Sequence, residues 1–119
     1  MELKVEIETN DPHLLFDIFG ARELRAGESE ITISKGISLV YNGTIVRLAT
    51  GLPNIVQFIL KISGPFASDI VGGLVGSFLY DILRGKVIPR IRIDNIEVSL
   101  NKNEIKRIVI EILEKLKGN

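Results

Sequence analysis

The chain has 119 residues, room for one hydrophobic core but not for two, so a single domain over residues 1–119 is expected. Fifteen basic and fifteen acidic residues cancel, and neither sign gathers into a block, which argues against nucleic acid as the main partner. Cysteine is absent, which excludes disulfides, thiolate metal sites and cysteine nucleophiles and is compatible with a cytoplasmic location.

The N-terminal run Met1-Glu2-Leu3-Lys4-Val5-Glu6 alternates charged and apolar side chains, unlike the basic stretch and apolar run of a secretory signal. Leu3, Val5 and Ile7 at period two predict a strand over Glu2–Thr9. Asn10-Asp11-Pro12 offers a cap and then a proline suited to a first helical turn, which predicts a short helix from Pro12 to Phe19, ending near Gly20. A charged connection, Ala21–Glu28, leads to the alternating Ile31 and Ile33. Lys35-Gly36 then reads as a tight turn or a bulge. Asn42-Gly43 between β-branched runs predicts a hairpin over Ser38–Leu48, because a type I′ turn needs positive φ at both central residues.

From Leu52 to Leu83 the pattern reads as helix, with Asn54 able to cap and Pro65 breaking the run into a helical hairpin or a bent helix. Asp94-Asn95 predicts a second hairpin, between Ile91–Ile93 and Ile96–Leu100. Asn101 or Asn103 would cap a last helix whose apolar stripe is Ile105, Ile108, Val109, Ile112, Leu113 and Leu116. The predicted class is α+β: a small, mostly antiparallel sheet with helices on one face, including a Gly-rich helical hairpin or bent helix. Heavy isoleucine use and Lys/Glu-rich surface segments, with a single Met, match a bias seen in heat-adapted proteins.

Between Pro65 and Leu83, the bulky Ile70, Val71, Leu74, Val75, Phe78, Leu79, Ile82 and Leu83 fall toward one side of a helix. Ser68, Gly72, Gly73, Gly76 and Ser77 form a small-residue stripe opposite, bounded by Asp69, Tyr80 and Asp81. Each helical glycine costs about 1 kcal/mol relative to alanine, so close approach of another backbone is expected to offset the penalty. That backbone could belong to the segment Asn54–Ile62, to a second subunit or to a different protein. The candidate interaction surface is therefore Ser68, Asp69, Gly72, Gly73, Gly76, Ser77 and Tyr80, with a protein partner or a homo-oligomer as its occupant. A membrane-spanning helix needs about 20 predominantly apolar residues, and Lys61, Asp69 and Asp81 subdivide this segment. The alternative reading is membrane docking, or conditional insertion, through residues 52–83.

Residues suited to catalysis do not assemble in the sequence. His13 is the only histidine and stands beside Asp11 without a nucleophile in context, short of what a triad requires. Asp69 and Asp81 would lie about 18 Å apart along one helix, too far to share a proton. Gly72-Gly73-x-x-Gly76 lacks the Lys-Ser/Thr ending of a phosphate loop. Asn42-Gly43-Thr44 fits an N-glycosylation acceptor but is better explained as hairpin chemistry. Arg84, Lys86, Arg90 and Arg92 read as a solvated basic rim. No catalytic residue, cofactor or metal site is predicted, and the expected role is non-enzymatic.

In order, the sequence presents an initial strand, the short Leu14-Leu15-x-x-Ile18 helix, the charged exit Glu23-Leu24-Arg25-Ala26-Gly27 and a Gly-rich apolar helical segment. The hairpin Ile91-Arg92-Ile93-Asp94-Asn95-Ile96-Glu97-Val98 and a C-terminal helix complete it. In this arrangement the chain resembles the small effector-associated constant component proteins of bacterial conflict (anti-phage) systems. The resemblance implies a non-catalytic companion that couples to, or assembles, a separately encoded effector. Asn42-Gly43 and Pro65 depart from the family's pattern.

Overall fold

The computed structural model describes residues 1–47 and 51–118. Its elements are β1 (Glu2–Thr9), α1 (Leu14–Phe19), β2 (Glu30–Ser34), β3 (Ile37–Ile45), β4 (Asn54–Ile62), α2 (Ser68–Leu83), β5 (Arg90–Ile93), β6 (Ile96–Val98) and α3 (Lys102–Lys117). The strands form one antiparallel sheet in the order β2-β3-β4-β1-β5-β6, and the fold is α+β as expected.

Strand periodicity sorts side chains between two faces. The pairs Leu3↔Leu60, Val5↔Phe58 and Ile7↔Val56 lie on one face and Glu2↔Lys61, Glu6↔Gln57 and Glu8↔Ile55 on the other. The apolar face joins Val71, Val75, Leu79 and Leu83 of α2 and Ile105, Val109, Ile112 and Leu113 of α3 in a single buried cluster. Phe58 sits at its centre, 6.2 Å from the Phe19 ring in a stacked contact and 6.4 Å from Tyr41 edge-on, geometries that favour aromatic pairs beyond the area they bury.

Residues 54–62 form not the first arm of a helical hairpin but the strand between β1 and β3. Val56, Phe58, Leu60 and Ile62 point inward at period two. Ile55 and Ile59 on the outer face fill two of the gaps, so the segment reads as an apolar run broken only by Gln57 and Lys61, which suits either structure. Ser63-Gly64-Pro65 ends the strand instead of bending a helix, with Gly64 at φ +76°. A single helix, α2, follows.

Asn42-Gly43 does not turn the chain either; both residues lie inside β3. Tyr41 pairs with Phe58 and Thr44 with Val56, so β3 advances three residues while β4 advances two: a β-bulge, with Gly43 at φ +108°. The predicted end of that hairpin, Leu48, lies outside the described residues. The turn is instead made at Lys35-Gly36, between β2 and β3, with Gly36 at φ +79°. Asp94 and Asn95, at φ +48° and +67°, both adopt the left-handed conformation of a type I′ turn and join β5 to β6 as predicted.

The short helix begins at Leu14, two residues later than expected, behind an Asp11 side chain that accepts from the His13 N–H at 2.8 Å. It ends at Gly20 in the αL conformation. At α3, the Asn101 side chain accepts from the N–H groups of Asn103 and Glu104, at 2.9 and 3.1 Å. Glu104 reaches back to the Ser99 N–H and hydroxyl. Those hydrogen bonds to Ser99 hold the Glu104 carboxyl below its ordinary pKa.

Candidate functional site

The small residues of α2 are divided between its two sides. A Cβ on Gly72 would stand 2.7 Å from Ile110 Cγ1 and 3.0 Å from the Lys106 carbonyl oxygen. On Gly76 it would stand 2.9 Å from the Lys102 carbonyl oxygen and 3.3 Å from the Lys106 nitrogen. Even alanine is too large at these points, so the two helices owe their approach to glycine. The backbone expected against the glycines is therefore α3 of the same chain, running antiparallel to α2, and not the segment 54–62. Ser68 is buried beside them, its hydroxyl without a hydrogen-bond partner.

Gly73 differs. It has nothing within 4 Å of an added Cβ and is only half-buried, as are Ser77 and Tyr80, while Asp69 is exposed. Of the seven predicted surface residues, Ser68, Gly72 and Gly76 are thus consumed inside the fold, and Asp69, Gly73, Ser77 and Tyr80 remain accessible. The bulky residues divide too. Val71, Val75, Leu79 and Leu83 are buried, but Ile70 is 62% and Leu74 38% exposed. The buried arc of α2 turns toward both the sheet and α3, which leaves these two aliphatic residues on its solvent side.

Elsewhere on the helical layer, α3 carries a shallow hollow of about 260 Å³ lined by Asn103, Lys106, Arg107, Ile110 and Glu111. Lys102 lies over the Tyr80 ring at 5.6 Å, and Lys117 over Phe66 at 4.5 Å while donating to the Phe66 carbonyl at 3.0 Å. Asp69 and Asp81 lie within 4 Å of no cation, and Lys102 and Lys106 within 4 Å of no carboxylate, among the described residues. The solvent side of α2 thus holds exposed aliphatic side chains, while α3 carries the hollow and ammonium groups without a carboxylate partner among the described residues. Sequence periodicity grouped Ile70 and Leu74 on one side with Val71, Val75 and Leu79, which are buried. Only the position of α3, which α2's own pattern does not encode, reveals Ile70 and Leu74 as surface.

The basic rim is largely neutralised. Lys86 donates to Asp11, at 3.2 Å, and to Asp17, which clamps the α2–β5 loop to α1. The hydrogen bond to Asp17, followed by that to Asp11, raises the Lys86 pKa above its ordinary 10.5. The His13 N–H and then Lys86 lower the Asp11 carboxyl below 3.8. On the open face of the sheet, Glu8 is only 5% exposed beneath three arginines. Arg47 donates to it at 2.5 Å, and Arg90 and Arg92 stand 3.4 and 3.6 Å away. Arg47 also holds the Pro53 carbonyl at 2.7 Å, and Arg90 pairs with Glu97 at 2.9 Å. Sequence reasoning missed this cluster, although Glu8 and the alternating Arg90 and Arg92 occupy outward strand positions.

Among the described residues, no three His, Asp or Glu side chains converge as a metal site requires. Nor is any helix among them long and apolar enough to cross a membrane. No protein-family model, curated protein or solved structure matches the chain.

Proposed function

We propose that the protein is a non-enzymatic interaction module that docks a protein partner through the solvent side of α2. The observation that carries this reading is the exposure of Ile70 and Leu74 on a helix whose opposite side is already filled by core and glycine contacts. Exposed aliphatic side chains grouped one helical turn apart are a feature of protein interfaces more than of free surface. The resemblance to effector-associated components would make the partner a separately encoded effector. Insertion of residues 52–83 into a membrane is disfavoured by the place of β4, which would have to leave the middle of the sheet together with its buried Phe58 and Leu60.

The test compares the tagged chain with an Ile70→Asp, Leu74→Asp variant, both purified from the native host and both shown folded by circular dichroism. A protein recovered in fixed stoichiometry with the first and absent from the second is the expected result. An identical set of proteins with both would overturn the reading. Flotation with anionic liposomes that is lost in the same variant would favour the membrane alternative.

A further inference from the structure

We infer that the partner is held as an added β-strand on the free edge of β2: an extended segment with aliphatic side chains at alternate positions and a basic residue between them. The inference rests on the docking reading above and says what the aliphatic side of α2 covers. At about 100° per residue, Leu74, two residues from both Gly72 and Gly76, points away from the α3 contact those glycines make. The helices lie over the sheet in the order of its strands, α3 against β6 and α2 against β2. The side of α2 turned from α3 therefore faces the β2 edge. Ile62, the last residue of β4, pairs with Ile37 just after the β2–β3 turn. The first turns of α2, which carry Ile70 and Leu74, accordingly stand at the end of the sheet where β2 finishes.

β2 is an outermost strand. The Tyr41 N–H donates to the Ser29 carbonyl at 2.8 Å, and bonded and non-bonded pairs alternate along an antiparallel ladder. Ile31 is thus bonded to Leu39, while the N–H and C=O groups of Glu30 and Thr32 point away from β3. No other backbone group bonds them, among the described residues. Ile31 and Ile33 face the helices but are only partly buried, so the apolar layer lies open along this edge. The opposite edge is closed. β6 has three residues, and Glu97 at its centre is held by Arg90 at 2.9 Å, the short and charged form that resists strand addition.

A strand added to β2 bonds the main chain of Glu30 and Thr32 and carries its inward side chains beneath Ile70 and Leu74. Its outward side chains meet Glu30, which is exposed and within 4 Å of no cation among the described residues. A basic residue there completes a cross-strand pair. A second copy does not supply one. In the antiparallel registers that keep the isoleucines on one face, its β2 sets Glu30 against Glu30, Thr32 or Ser34. The irregularity between Thr32 and Ser34 ends the open edge, so the main-chain contact is short and the aliphatic cover of α2 sets much of the affinity.

The probe is a short peptide of alternating valine and lysine in two N-methylated forms, titrated into the isotope-labelled full chain. Residues opposite Glu30 share its side of the sheet, so the lysine N–H groups are the ones that face β2. The peptide methylated on its valine nitrogens should slow hydrogen exchange at the Glu30 and Thr32 amides several-fold at millimolar concentration, and the peptide methylated on lysine should not. Leu74→Asp should weaken the first peptide several-fold with unchanged circular dichroism, and Glu30→Lys should transfer the preference to a valine–glutamate peptide. Equal binding of both forms, or no slowing at those two amides, would overturn the inference. So would slowing that grows with the concentration of the chain alone, which would assign the edge to a second copy. If the peptides fail while Ile70→Asp, Leu74→Asp still loses a partner in the native host, the docking reading survives without the added strand.

Discussion

Between α2 and α3 the backbones meet because Gly72 and Gly76 put no side chain between them, whereas on the open face of the sheet a carboxylate is hidden by side chains long enough to fold over it. The first contact is short-range, steric and indifferent to pH or salt. The second, Glu8 under Arg47, Arg90 and Arg92, is electrostatic, and its arginines remain partly in water. A steric seam tolerates no added atom, while a charged one tolerates changes of size but not removal of its buried anion.

The seam should break hardest. Gly72→Leu with Gly76→Leu would drive side chains into the Lys106 and Lys102 backbone, so each should cost on the order of 3 kcal/mol and the pair should leave little cooperative melting. An unchanged thermal midpoint would mean that the helices do not meet there. Glu8→Ala should follow at about 2 kcal/mol, below the range for a fully buried pair because the arginines can turn toward solvent. Urea titration measures it, and added salt should narrow the gap between variant and parent. Gly73→Ala sharpens the contrast within α2 itself: with open space around the new Cβ, it should stabilise by up to about 1 kcal/mol, the opposite sign to its neighbours.

The smallest effect concerns the Lys86 clamp. Asp11 has a lowered folded pKa, so its contribution is present above 3.8 and is lost as pH falls through the folded value. Lys86 has a raised one, so its contribution is complete below 10.5 and is lost as pH rises through the folded value. Lys86→Met should therefore flatten the alkaline limb of a plot of melting temperature against pH and, because the His13 N–H still lowers the Asp11 carboxyl, the acid limb only in part. Limbs as steep as the parent's would show that the clamp contributes nothing to folding.

Where a local rule had one outcome, the sequence was readable. The alternation in β1, the αL cap at Gly20, the Asp94-Asn95 turn and the Asn101 cap each depend on a few consecutive residues, and each formed. Asn42-Gly43 shows where such rules stop. Its glycine does adopt positive φ, but a bulge needs one such residue and a hairpin two, and β4 pairs with β3 on both sides of the irregularity. For β4, Ile55 and Ile59 on the outer face concealed the alternation, and only pairing on both edges distinguishes it from a helix. The docking face was half legible. The glycines announced a close backbone, but α3's claim on Gly72 and Gly76, and the outward aspect of Ile70 and Leu74, are set by tertiary packing.

β1 occupies an interior place in the sheet, with β4 on one edge and β5 on the other. Val5 must find both Phe58 and Ile93, partners that follow it by roughly half and three-quarters of the chain. During synthesis this strand leaves the ribosome before either partner and waits, its apolar face uncovered, until Ile93 has emerged. Chains whose contacts span such separations fold slowly, and refolding on the millisecond-to-second scale follows. Before it is completed, β1 is the segment a chaperone would have most reason to hold.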